Sequence, residues 1–387
     1  MTIRTHRQNK QKTKNKTRRI KRKAKFINRG GEPIGHGGFG CAFRPALKCK
    51  DSSGREKGRV SKLMTTKHAE AEYKEITKFL PQLKKVPNYK NFYIVDDASV
   101  CEPDKLTEED IMNFDKVCRP MRKIQITGEN VNDNLNKLRI LNLPDGGVDV
   151  GDYVDTTVGK DYKKINTMLM ELLLNGVIPM NKLGIYHGDI KDANVLVGQD
   201  GFAKLIDWGL SGQTDGTSIP RVFHDKPFQF NIPFSAILFN DVFVDMSEEL
   251  ALKGASAFKE KPIQSFVRKF IHAWNKKRGE GHFHLLSKLV KLATGRPVMT
   301  VIVEYITKII MKYGVRREEN WLMKYFEEVY LKNLDIWGLV TTYSPILEKT
   351  KDPHLKNIFA KYLYNPEKAC DPIDINELVM DLKKKDA

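Results

Sequence analysis

No aspartate or glutamate occurs in the first 25 residues of this 387-residue chain, although twelve lysines and arginines do. A block of one charge sign repels itself and has no apolar surface to bury, so residues 1–27 are expected to form a disordered basic arm. Removing those twelve charges from the formal net charge of +18 leaves +6 for the rest of the chain. Such an arm reads as a nucleic-acid contact, a nuclear-localisation address, an anchor on an acidic partner, or merely a solubilising tail. Nucleic-acid binding through residues 1–25 would weaken steeply with salt. Cysteine is scarce too. Cys41, Cys49, Cys101, Cys118 and Cys370 form no C-x-x-C pair, which argues against structural zinc and leads us to expect reduced thiols in a soluble intracellular protein. No apolar run reaches membrane-spanning length and no signal-peptide pattern is present, so no membrane partner is expected.

What is present suits a folded body with two parts. Apolar residues make up 41%, with 13 Tyr, 19 Phe and 4 Trp. Strand-like segments come first: Gly30 to Arg44 is a glycine-dense turn between two short strands, Lys48–Gly58 a surface loop, and Arg59–Met64 another strand. Tyr73, Ile76, Phe79 and Leu80 have helical spacing within Ala69–Leu80, and Pro81 marks the end. Residues 96–136 are polar and aperiodic, an insertion or a long irregular connection. Lys137–Leu143 is strand-like again, and Pro144-Asp145-Gly146-Gly147 is a breaker. Ile165, Met168, Leu169, Leu172, Leu173, Val177 and Met180 then follow the spacing of a buried amphipathic helix. From about residue 246 the chain reads as helix after helix, with no internal repeat. A small β-rich part followed by a large helical part, with a cleft between them, is the expected α+β architecture.

Two segments carry chemistry. Gly35-His36-Gly37-Gly38-Phe39-Gly40 matches G-x-G-x-x-G, in which glycines let backbone N–H groups approach phosphate oxygens. Dinucleotide-binding folds share those letters, but their glycine run opens a helix, whereas Cys41–Arg44 reads as a strand ended by Pro45. The second segment, His187 to Gly209, reads HGDIKDANVLVGQDGFAKLIDWG. Asp189, Asn194 and Asp207 there are separated by two short apolar runs, Val195–Val197 and Ala203–Ile206, so a loop and a strand pair lead to a carboxylate.

With Val60-Ser61-Lys62 upstream, these segments resemble the protein-kinase superfamily. That resemblance implies a two-lobed kinase-like fold, with a β-rich N-lobe over residues 28–145, carrying one main helix, and a helical C-lobe over residues 146–387 that ends in a divergent helical extension. It implies ATP and Mg²⁺, or Mn²⁺ in its place. Gly35, Gly37, Gly38, Phe39 and Gly40 would cover the phosphates, and Lys62 would contact them. Ala42, Val60, Leu141, Leu143 and Leu196 would enclose adenine, with Leu141 as gatekeeper. Asn194 and Asp207 would hold metal, and Asp189 would orient the acceptor hydroxyl. Glu70, Glu72 and Glu75 compete to pair with Lys62; the family pattern puts an apolar residue four positions later on the same helix face, which Ile76 provides for Glu72, the favoured choice, and Phe79 for Glu75.

Lys191, two residues after Asp189, stands where serine/threonine kinases usually carry Lys, so the resemblance implies transfer to Ser or Thr of a protein substrate. The H-G-D spelling also occurs in aminoglycoside and choline phosphotransferases, which keeps small-molecule transfer open as an alternative, and a binding-only pseudokinase scaffold is a third reading. Gly188 replaces the arginine that pairs with a phosphorylated activation loop in many kinases, so activity without phosphate on Thr214, Thr217 or Ser218 is implied. No A-P-E triplet follows Asp207; Arg221–Ser235 (RVFHDKPFQFNIPFS) stands there instead. The H-G-D loop, the V-S-K-L-M strand, the F-N-x-P-F-S segment and the basic arm together are similar to divergent kinases of large DNA viruses. That placement implies the host cytoplasm or nucleus, or association with a virion.

Overall fold

The computed structural model describes residues 31–36, 39–157, 162–252, 257, 259–314 and 320–384. The expected basic arm, and Gly37 and Gly38 of the glycine loop, lie outside the described residues. The fold is mixed α+β, with an antiparallel sheet toward the N-terminus and a helical region toward the C-terminus. Strands β1 (Glu32–His36), β2 (Gly40–Arg44), β3 (Arg59–Thr65), β4 (Ser99–Cys101) and β5 (Leu138–Pro144) form the sheet in the order β1-β2-β3-β5-β4.

Period-two alternation gives this sheet two apolar faces. In register, Ala42 faces Lys62, Lys62 faces Leu141 and Val60 faces Leu143. Directly opposed residues point to the same side, so these five share one face, and Met64 and Leu141 on it join the core of the helical region. The intervening residues Cys41, Phe43, Leu63 and Ile140 point the other way, into a second core.

Residues 96–136, expected as an insertion or a long irregular connection, close that second core. Short helical turns at Glu108–Ile111, Phe114–Val117 and Arg119–Arg122 lead to a 3₁₀ stretch, Val131–Lys137, and Phe114, Met121, Ile126 and Val131 pack on the sheet. A helix of four residues completes one turn, too little to leave a 3.6-residue repeat in the sequence. Asp110, buried here, accepts from Gly31 N and from Arg55 Nη2, each at 2.6 Å. The cysteines are a correction. Cys41 is bonded to Cys118 and Cys49 to Cys101 as disulfides, with Cα atoms 5.3 and 5.8 Å apart, and Cys370 is free. The partners are 77 and 52 residues apart in sequence, and folding of 96–136 over the sheet brings them together.

Helix α1 (Thr66–Lys78) leaves β3 directly and buries Ala69 and Ile76. Pro81 sits inside a following turn, Leu80–Leu83. After β5 come the short strand β6 (Val148–Asp149), helix α2 (Val150–Thr157) and helix α3 (Tyr162–Glu171). A π-helical stretch, Leu172–Val177, carries α3 onward into α4 (Ile178–Lys182). Strands β7 (Ile185–Tyr186), β8 (Val195–Val197), β9 (Ala203–Leu205) and β10 (Gly212–Gln213) form small ladders, β6-β8-β9 and β10-β7.

From Asp241 onward the described chain is mainly helical, including α5 (Glu260–Arg278), α6 (Val298–Ile309), α7 (Leu331–Thr341) and α8 (Ile375–Lys383). Helix α7 is buried along almost its whole length, as a central element must be. Trp337 on it donates to Phe230 O at 3.1 Å and packs its ring on Phe234. Helix α8 is tied to α3 by Asn166 Nδ2 donating to Leu382 O at 3.1 Å. Among the described residues no helix is long and apolar enough to cross a membrane.

Candidate active site

The sheet face turned toward the helical region carries Ala42, Val60, Lys62, Leu141 and Leu143 as neighbours. Leu141 is buried, while the other four are half-buried. Because α1 begins where β3 ends, its second turn folds back over the sheet, and Lys62 Nζ donates to Glu72 Oε1. Glu70 is exposed. Glu75 reaches elsewhere: its Oε2 lies 3.1 Å from where a Cβ on Gly209 would stand. Partial burial pushes the Glu75 carboxyl up, and the Glu72 and Asp207 carboxylates push the same way. The Lys62–Glu72 pair and Asp207 therefore belong to one charged neighbourhood. Of the glycine loop, Gly35 lies in β1, Gly40 opens β2, and the exposed ring of Phe39 stacks on His68 at 4.2 Å.

Below the sheet, β6 pairs Asp149 with Leu196 of β8, so the residues that follow the 144–147 breaker lie against Leu196. Strand β7 delivers the chain to Asp189, and β8 carries it away through the 3₁₀ turn Asp192–Asn194. Asp189 is 5% exposed and fully engaged. Its Oδ2 accepts from Lys191 Nζ at 2.7 Å and Asn194 Nδ2 at 2.8 Å, and its Oδ1 accepts from Asn231 Nδ2 at 2.9 Å. Asn194 also donates to Asp189 O at 2.8 Å; with its nitrogen so used, its oxygen is the atom left for a cation. The β8–β9 register pairs Val195 with Leu205, and Ile206 N donates to Asn194 O at 3.1 Å, bringing Asp207 to the Asn194 end of the ladder.

Asp207 has φ +66° and an exposed side chain that no basic group among the described residues pairs with. Trp208 after it is buried against Tyr93 and His187. An amide oxygen and an unpaired carboxylate are hard oxygen donors, the set that suits Mg²⁺ when phosphate oxygens and water complete the shell. Among the described residues no three His, Cys, Asp or Glu side chains gather into an all-protein cage, and a magnesium site of this kind needs none. The residues present thus fit a Mg²⁺-nucleotide.

Sequence reasoning missed what holds the loop in place. Asp335 on α7 is fully buried; its Oδ2 accepts from His187 N and its Oδ1 from Gly188 N, both at 2.9 Å. Burial pushes this carboxyl up, while His187 and the two N–H donors oppose the shift. Gly338, one turn on, meets the loop so closely that a Cβ there would stand 2.7 Å from Ile190 O. Gly188 has φ +71°, and a Cβ on it would meet Leu210 O at 2.7 Å, so the backbone itself excludes a larger residue at that position. Asn231 was also missed, and it additionally donates to Ile190 O at 3.2 Å. One signal for Asp335 was available: a lone carboxylate inside the apolar run Leu331–Val340 requires buried donors.

No family model matches the chain. Short stretches are similar to curated proteins described as cytokinesis protein sepH: 37% identical over 60 residues in the Aspergillus niger and Aspergillus terreus proteins, and 34% over 68 residues in that of Emericella nidulans. These stretches cover 16–18% of this chain, and the chain spans 4% of the length of those relatives.

Proposed function

We propose that this chain is an ATP- and Mg²⁺-dependent kinase that phosphorylates Ser and Thr of proteins, its sheet and helical regions acting as the two lobes of a kinase-like fold. What supports the reading is the Lys62–Glu72 pair, the Asp189–Lys191–Asn194 cluster, and an Asp207 that no basic group among the described residues pairs with and whose charge acts on Glu75 together with those of Glu72 and Lys62. Ala42, Val60, Leu141 and Leu143 would offer an apolar sheet face to a purine ring, with Leu196 of β8 on its other side. Lys62, fixed by Glu72, presents an ammonium to phosphate oxygens. Asn194 and Asp207 would hold Mg²⁺, which supplies charge neutralisation on the phosphates when bound.

Asp189 would then orient the acceptor hydroxyl and take its proton as the oxygen attacks the terminal phosphorus, while the bond from that phosphorus to the bridging oxygen breaks and ADP leaves. Its carboxylate is held on one side by Asn231 and on the other by Lys191 and Asn194, so little reorganisation accompanies transfer. Lys191 is placed to follow the developing charge on the transferred group. A hydroxyl presented on a peptide matches this arrangement, with Lys191 favouring Ser or Thr.

A radiolabelled-ATP assay with casein, histone and hydroxylated small molecules tests the reading. Wild-type protein should label a protein substrate. Asp189→Asn should lose about 10²–10⁴-fold, the usual size of an acid–base contribution, and Asp207→Asn should lose transfer with its circular dichroism unchanged. Labelling of small molecules alone would favour a metabolite phosphotransferase, and nucleotide binding without turnover a scaffold.

A further inference from the structure

Beside Asp189 the structure gathers more positive charge than one carboxylate balances. Lys226 is 6% exposed, and no hydrogen bond or ion pair to a described residue holds its ammonium. Burial lowers its pKa, and the charges it responds to are Asp189 and Arg278. His282 is lowered by burial and then by Lys191, with Asp189 opposing. Asp189 is the one carboxylate acting on either group, and it already accepts from Lys191, Asn194 and Asn231.

The placement follows from α5, which ends in Lys276-Lys277-Arg278 and is clamped onto the segment that supports Asp189. Trp274 Nε1 donates to Lys226 O at 3.0 Å, His282 N donates to Phe228 O at 2.8 Å, and the His282 ring lies 5.6 Å from that of Phe230. Residues 226–231 thus tie Lys226, Arg278 and His282 to the same strip of backbone whose Asn231 holds the Asp189 carboxylate. An ammonium buried beside a second cation is unfavourable until an anion joins them.

We infer that Lys226, Arg278 and His282 form a docking point for an anionic side chain of the protein substrate, an aspartate, glutamate or phosphoserine within a few residues of the acceptor hydroxyl. The inference rests on the phosphotransfer reading above and names the substrate class for that site. Arg278 offers a planar fork that fits carboxylate or phosphate in two hydrogen bonds, and Lys226 adds a compact charge deeper in.

The test uses the full chain and four fluorescent peptides that share one serine, flanked by alanine, arginine, glutamate or phosphoserine. Binding is read by anisotropy and transfer by initial rates. The wild type should prefer the glutamate or phosphoserine peptide; a phosphoserine optimum identifies phosphate as the favoured anion, and equality shows that a carboxylate suffices. In Lys226→Met, and separately in the surface double variant Arg278→Gln/His282→Ala, the preference for acidic over alanine flanks should fall about tenfold, the size of one charge-assisted hydrogen bond. The basic arm attracts acidic peptides equally in all three proteins, so the change in preference is the diagnostic. An unchanged preference in the double variant, or a wild-type preference for arginine flanks, overturns the inference. Acid-selective binding that both variants weaken, without any phosphate transfer, leaves the docking point standing and sinks the kinase reading instead.

Discussion

Asp335 does work that no residue inside the 187–194 loop performs, because it accepts from the two consecutive N–H groups that precede Asp189. Asp335→Ala leaves both donors buried and unsatisfied, at about 1–3 kcal/mol each. Chemical denaturation should show a loss of that order, and the surviving folded protein should have a lower kcat with a KM for ATP little changed. An unaltered midpoint would remove the anchor role. Residue by residue, the groups proposed to meet substrate lie within one short stretch of sequence, and the groups that brace them do not. Asp189, Asn194 and Asp207 reveal themselves by fixed local spacing. Asp335, Asn231 and Lys226 lie in other segments, and only packing brings them to the loop. Asp335 is 148 residues from His187.

At the scale of elements, the segment after Asp207 stands on packing instead of on a charged tether. Phe223, Phe228, Phe230, Ile232 and Phe234 are buried, while Thr217 and Ser218 are exposed and Thr214 is half-exposed. Joint alanine substitution of Thr214, Thr217 and Ser218 should therefore leave phosphotransfer within about twofold of wild type, since surface changes seldom cost more than a few tenths of a kcal/mol. A large loss in that assay would restore dependence on phosphorylation. The 96–136 cover makes a different prediction. Cys49 and Cys101 close a 52-residue separation, so Cys49→Ser/Cys101→Ser should destabilise the protein by about 2–4 kcal/mol, read as a lower melting temperature without reductant. Equal melting of variant and wild type under those conditions would count against the bond. Strand alternation and the long amphipathic helix were readable in the sequence. The four-residue turns of the cover were not, because their stability comes from the sheet face they bury.

For the molecule as a whole, one carboxylate joins the Asn166–Leu382 bond in fastening helix α8. Asp381 accepts from Lys361 at 2.6 Å and from Lys384 and Tyr362 at 2.7 Å, and these partners, Lys361 first, hold its carboxyl well below the ordinary carboxylate range. A depressed carboxyl contributes stability that is present above its unfolded pKa and is lost as pH falls toward the folded value. Unfolding scans from pH 6 down to pH 2 should show a steeper acid loss in wild type than in Asp381→Asn; parallel curves would mean that the latch carries no weight.

Helix α7 also bears on the order in which the protein is made. Every side chain proposed to meet nucleotide, metal or acceptor hydroxyl is synthesised by residue 231, yet the helix that clamps their loop begins only at Leu331. A nascent chain stalled between those points would hold the whole reactive set with nothing to brace it. Phosphotransfer would then be switched on late in translation, when the central helix leaves the ribosome and closes on Ile190.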